Sequence, residues 1–181
     1  MQTIKTARLL LRNFVLEDMQ DLYEYARQDD VGPNAGWKPH GCLQETQEIL
    51  LHFIYAEECW AIEEKQTGKV IGSIGLRADR RRNYKEAKNI GYVLNHDYWG
   101  QGYMPEALQA VLQYGFEQED LLIISVEHYP FNLRSKRVIE KCGFKLEGVL
   151  RKAFAIYNGE IYDHVCYSIT KEEYMEKTLA E

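Results

Sequence analysis

The sequence predicts an α/β fold. Short strand-like runs alternate with amphipathic helical stretches, a pair of glycines joins one strand to one helix, and no repeat, low-complexity tract or linker interrupts the 181 residues. A chain of this length with 45% hydrophobic residues can bury a sizeable core, so residues 1–181 are expected to form one domain.

Taken in order, residues 4–12 read as a strand and 16–27 as a helix, with Met19, Leu22, Tyr23 and Ala26 at three-and-four spacing. The segment DDVGPNAGWKPHG, residues 29–41, is rich in turn formers and reads as a long loop or lid. Beyond it Ile49, Leu50, Phe53 and Ile54 mark the stripe of a second helix. Residues 60–64 and 70–76 flank Gln66-Thr67-Gly68-Lys69 as an antiparallel hairpin. A strand at 89–94 then leads into NHDYWGQGYMPEA, where Pro105 suits the first turn of a helix and Leu108, Val111, Leu112 and Gly115 place one face against a sheet. Residues 122–127 form another strand, and Asn132 caps a helix to about residue 141. Asn158-Gly159 marks a turn between two last strands, and Thr170-Lys171-Glu172-Glu173 a capping box for a terminal helix.

Charge excludes some functions. A net charge of −6 and a pI near 5.5 argue against nucleic acid or anionic lipid as partner, and a small or basic substrate fits better. No apolar run reaches the roughly 18 residues of a membrane span, and MQTIKTARLL lacks a signal peptide's apolar core, so a cytoplasmic protein is expected. Cys42, Cys59, Cys142 and Cys166 are widely spaced, which signals neither a disulfide framework nor a thiolate metal site.

The glycines at 100 and 102 sit where a helix begins. The first N–H groups there lack partners and the dipole is positive, so a phosphate is held if no side chain blocks its approach. The Gly-Lys-Ser/Thr ending of a P-loop is absent, and Pro105 stands where a dinucleotide fingerprint needs its third glycine. The remaining alternatives are another phosphate loop or a plain helix-starting turn.

The run NIGYVLNHDYWGQGYMPEA resembles the coenzyme A pyrophosphate loop of the GNAT superfamily of N-acetyltransferases, whose pattern is Arg/Gln-x-x-Gly-x-Gly/Ala. Here those positions hold Trp99, Gly102 and Met104, so the central glycine alone matches, but W-G-x-G-Y followed by Glu-Ala is similar to the RimJ/RimL branch. TARLLLR at residues 6–12 and NLRSKRVIEKCGF at 132–144 resemble two further segments of that branch, the ribosomal-protein N-terminal alanine acetyltransferases and their relatives.

The resemblance implies a mixed, strongly twisted, mostly antiparallel sheet flanked by helices. It implies acetyl-CoA as cosubstrate, no metal, a possible homo-oligomer, and a primary amine as acceptor. The acceptor would be a protein N-terminus or a small amine such as a polyamine, amino acid or antibiotic; a non-catalytic CoA-binding module is a further alternative. The strand at Tyr92, Val93 and Leu94 would diverge from the one at 122–127 and offer main chain to the pantetheine arm. Trp99, Gly100, Gln101, Gly102, Tyr103 and Met104 would hold the pyrophosphate, and Asn132 and Ser135 would touch the coenzyme.

Acetyl transfer needs a neutral amine, a stabilised oxyanion and a leaving thiolate. Many GNAT enzymes place a tyrosine acid seven residues after the helix-starting asparagine, where this chain has Ile139. In RimL-like enzymes the corresponding serine, here Ser135, has that role, although Asn132 and Ser135 fit a helix cap equally well. Glu127, His128, Glu86, His96 and Asp163 are candidates for the base, with Glu127 and His128 on opposite strand faces. Arg80, Arg81 and Arg82, a basic turn, could join Arg134, Lys136 and Arg137 around the adenosine phosphates. Trp37 and His40 are candidates for an acceptor-side lid.

Overall fold

The structure is a computed structural model and describes residues 1–180. Its strands are β1 (Ile4–Lys5), β2 (Leu9–Asn13), β3 (Cys59–Glu64), β4 (Lys69–Ala78), β5 (Ala87–Leu94), β6 (Ile123–His128), β7 (Lys145–Ala155) and β8 (Ile161–Thr170). They form a sheet of order β1-β2-β3-β4-β5-β6-β8-β7. Every neighbouring pair is antiparallel except β5 and β6. The helices are α1 (Met19–Ala26), α2 (Leu43–Ala56), α3 (Tyr103–Glu117), α4 (Leu133–Lys141) and α5 (Lys171–Ala180). None of the described helices is long and apolar enough to cross a membrane.

The alternation of apolar positions decides which face each side chain takes. Ile90, Leu94, Ile124, Val126, Tyr167 and Ile169 point to one face, where Leu108, Val111 and Leu112 of α3, Ile139 of α4 and Tyr174 of α5 complete the larger core cluster. Leu22, Tyr25 and Ala26 of α1 and Leu50 of α2 cover the other face with Phe14, Ala61 and Val70. The sheet is therefore wet on neither face through its centre.

Two expected elements are divided. The strand at 4–12 breaks into β1 and β2 because Thr6 N bonds Leu9 O at 3.0 Å and the Thr6 hydroxyl receives Leu9 N at 2.9 Å, which reverses the chain. The helix at 16–27 opens as a single 3-10 turn, Leu16–Asp18, and Tyr25 rather than Tyr23 takes the deep core position. The capping box is present: Glu173 N donates to the Thr170 hydroxyl at 3.3 Å and Thr170 N to Glu173 Oε2 at 2.9 Å. The four cysteines are unpaired.

Candidate active site

The site begins where the sheet comes apart. β5 and β6 pair from Ala87↔Ile123 to Asn89↔Ser125 and then stop, while β5 stays bonded to β4 out to Leu94 and β6 to β8 out to His128. Two parallel strands held by their outer neighbours thus diverge, and a cleft of about 760 Å³ opens between the two faces of the sheet. The divergence expected at Tyr92 to Leu94 is present and begins just past Asn89.

One end of the cleft is the start of α3. Gly102 is its N-cap at φ 81°, and Gly100 lies at φ 77°. A Cβ on Gly100 would meet nothing within 4 Å, so backbone is open to a ligand there. Tyr103 and Met104 line the same end. Trp99 is fixed by three contacts: its Nε1 donates to Leu94 O at 2.8 Å, its ring stacks on His96 at 4.5 Å, and the Arg134 guanidinium lies 4.6 Å above it. Arg134, Arg137 and Lys141 follow one another along α4 into the cleft. Bare backbone at a helix N-terminus beside three cations fits a pyrophosphate and a further phosphate. Gln101 is exposed, with its amide on Asp97 O at 2.9 Å, and is not part of the lining.

A clamp that the sequence does not reveal holds this end. Glu106 Oε1 accepts from the Thr6 hydroxyl at 2.6 Å and from Arg8 N at 2.8 Å, and Oε2 pairs with Arg8 Nε at 2.7 Å, while Arg8 Nη1 donates to Gln101 O at 2.9 Å. Two motifs nearly a hundred residues apart are therefore one mechanical unit. Burial works against the Glu106 charge, but the Thr6 and Arg8 hydrogen bonds prevail and hold its carboxyl below the ordinary range.

In the middle of the cleft, on the α4 side, the Tyr92 hydroxyl lies 2.9 Å from the Ser135 Oγ. Asn132 caps α4 by accepting Ser135 N at 3.0 Å, and its own amide donates to Asn34 O at 3.0 Å. Burial raises the Tyr92 phenol well above its usual value. A serine and a tyrosine, contributed by different elements, thus meet where the strand expected to offer only main chain runs past.

On the opposite face lie Glu127, Tyr129 and His164. Glu127 Oε2 accepts from Arg81 Nη2 at 2.7 Å and from Asn89 Nδ2 at 2.8 Å. Burial lowers the pKa of His164, a residue the sequence does not single out, because its only signal is a position on a strand whose neighbours are unknown beforehand. His128 is buried on the other side of β6; its Nδ1 donates to Tyr129 O at 2.8 Å, and Nε2 has no protein partner among the described residues. The expected opposition of Glu127 and His128 is seen. His96 pairs with Asp30, and Asp163 accepts Lys152 N at 2.7 Å; neither they nor Glu86 belong to the lining.

The structure does not bring Trp37 and His40 to the cleft. The left-handed turn at Gly36 folds Trp37 back against Gly32 and the smaller cluster, and His40 turns its N–H to Ala26 O at 2.9 Å and its Nδ1 to the Thr46 hydroxyl at 2.9 Å. The same loop meets the cleft through Asp30, Val31, Asn34 and Ala35. Arg81 and Arg82 stand away from the phosphate end, engaged by Asp79, Glu127 and Glu147.

A sheet parted between two parallel strands, with open backbone at a helix N-terminus on one side and titratable groups on the other, defines a transferase that draws its group from a phosphate-bearing carrier. The chain belongs to the GNAT acetyltransferase domain family, whose sequence profile matches residues 8–145. It is 30% identical over 173 residues to the N-acetyltransferase YoaA of Bacillus subtilis, covering 93% of this chain and 96% of that one. A GNAT-family acetyltransferase of Bacillus anthracis superposes with a TM-score of 0.84 at 30% identity, over 94% of this chain and 99% of that one. The [ribosomal protein uS5]-alanine N-acetyltransferase of Escherichia coli is 29% identical over 85 residues, 47% of this chain and 43% of its own. The protein is an N-acetyltransferase, and GNAT acetyltransferases take their acetyl group from acetyl-CoA.

Proposed function

We propose that this protein acetylates a small primary amine in the cleft between β5 and β6, with donor and acceptor entering from opposite faces of the sheet. The observation that carries this reading is the pairing of Tyr92 with Ser135 on one face of the opening and the presence of His164 with Glu127 on the other. Gly100, Gly102, Arg134, Arg137 and Lys141 hold the coenzyme's phosphates, and unpaired β5 backbone steadies the oxyanion, a kind of contact worth roughly 3 kcal/mol in the transition state. The amine nitrogen forms the new C–N bond as the C–S bond breaks. His164, neutral because burial favours its uncharged form, takes the proton the amine loses. The Tyr92–Ser135 pair gives a proton to the departing thiolate and recovers one from solvent. A free thiol has a pKa of about 8.5, so this acid assists an already adequate leaving group.

Two acceptor classes compete. The name of the Escherichia coli relative supports a protein N-terminus. What favours a small amine is the loop at residues 29–41, which is held to the α4 cap by Asn132 Nδ2 on Asn34 O at 3.0 Å and to the β7–β8 turn by Tyr157 N on Gly36 O at 3.2 Å. An acceptor screen following CoA release, run on amines and on peptides, tests both: peptides turning over faster than every small amine would overturn the small-amine reading.

A further inference from the structure

Apart from the three cations at the phosphate end, one positive charge that lines the cleft, on the Glu127 side, has no counter-charge among the described residues. Both carboxylates that line it are paired, Asp30 with His96 and Glu127 with Arg81. Arg77, near the end of β4, lines the same cleft and makes no ion pair with any described residue. Its guanidinium is folded back over Gly75, where a Cβ would lie 3.5 Å from Nε and 3.7 Å from Nη2.

Gly75 pairs with Gly91 across β4 and β5, and a Cβ on Gly91 would meet nothing within 4 Å. Gly91 lines the cleft as a bare floor where β5 and β6 part, while Gly75 is buried beside Glu58 O and under the Arg77 guanidinium. Glu127 leans over this floor from the far side. Its Oε2 bonds Asn89, the register partner of Arg77, and its Oε1 accepts no hydrogen bond among the described residues. A cation thus reaches in from one edge of this floor and a free carboxylate oxygen from the other.

We infer that the acceptor is a zwitterion of amino-acid size: its amine faces Glu127 and His164, its carboxylate pairs with Arg77, and its chain crosses Gly91. The inference rests on the acetyl-transfer reading above and names its substrate class. A guanidinium is suited to a carboxylate by its planar donor fork. A polyamine would leave Arg77 unanswered and add a second cation beside it, and an ordinary peptide N-terminus carries no anion beside its amine to answer Arg77. Tyr129, Phe154 and His164 form an aromatic wall on this side, with Tyr129 and His164 rings 5.1 Å apart and Phe154 and His164 rings 5.5 Å apart, so an apolar side chain is accommodated.

The test compares phenylalanine, phenylalaninamide and phenethylamine as acceptors. In parallel, the CoA-saturated protein is titrated calorimetrically with N-acetylphenylalanine and with its amide. The acid is expected to exceed the amide about tenfold or more in kcat/KM and in affinity, in keeping with one charged hydrogen-bond pair. Arg77→Gln should bring that ratio close to one and Arg77→Lys should keep part of it, with the thermal shift by acetyl-CoA confirming that each variant is folded. Equal values for acid and amide, binding of neither, or a preference that survives Arg77→Gln overturns the inference. If none of the three amines is acetylated yet the acid product binds in an Arg77-dependent way, the zwitterion site stands and the catalytic reading falls.

Discussion

At the scale of single residues, the Tyr92–Ser135 contact makes a separable claim. If the two hydroxyls act as one proton donor, Ser135→Ala and Tyr92→Phe should each lower kcat about tenfold with little change in acetyl-CoA affinity, and the double variant should be no worse than the poorer single one. If Ser135 serves only the Asn132 cap, Ser135→Ala should leave kcat unchanged, because the cap uses the main-chain N–H that alanine retains. His164 makes a second claim. Burial depresses its pKa, so the neutral form persists to a lower pH than an ordinary histidine allows. The kcat/KM profile should therefore rise through a pKa below 6.5 and lose that limb in His164→Gln; an unchanged acidic limb in the variant would assign the base elsewhere.

At the scale of elements, the start of α3 is where bare backbone matters. Gly102→Val puts a β-branched residue at a left-handed position and a side chain over the helix N-terminus, so acetyl-CoA affinity should fall about a hundredfold or more while the apo protein, less stable by about 1–2 kcal/mol, stays folded. Thermal shift with and without acetyl-CoA checks both halves. Glu106→Gln removes the charge that joins the turn before β2 to this helix through Arg8 at 2.7 Å. It should weaken acetyl-CoA binding although Glu106 itself does not line the cleft; Arg8→Ala should do so too and also removes the guanidinium 4.2 Å above the Tyr103 ring. The contrast between the two sites is physical: Gly102 acts by leaving space, Glu106 by holding that space in register.

For the whole molecule, acetyl-CoA should raise the melting temperature by mass action. At a concentration a hundredfold above Kd the gain is about 2.7 kcal/mol, or roughly 5–10 °C for a chain of this size. Acid should act in the opposite direction. Burial lowers the pKa of both His40 and His164, so the unfolded chain binds their protons more readily than the folded one. Stability is then fully present above the unfolded value near 6.5 and is lost as pH falls below it toward the folded pKa values. Urea midpoints at pH 7.5 and 5.5 should differ in that sense, and by less in a His40→Gln, His164→Gln variant.

Local patterning was enough to locate most of the fold. Apolar spacing marks α3 through Leu108, Val111 and Leu112, paired turn signals mark the β3–β4 hairpin and the last two strands, and Gly100 with Gly102 marks the phosphate end, because each of these is set by residues within a few positions of one another. The break between β1 and β2 escaped because the Thr6–Leu9 turn that makes it is itself held by bonds of Thr6 and Arg8 to Glu106, nearly a hundred residues away. The same reason hides the chemistry. Whether Ser135 meets a tyrosine, whether Trp37 faces the cleft or the core, and which charge confronts Glu127 depend on where separate elements come to rest. A sequence states a residue's type and its helical or strand phase. Only the parting of β5 from β6, fixed by their outer neighbours β4 and β8, decides which side chains share a cavity and which of their charges remain unanswered.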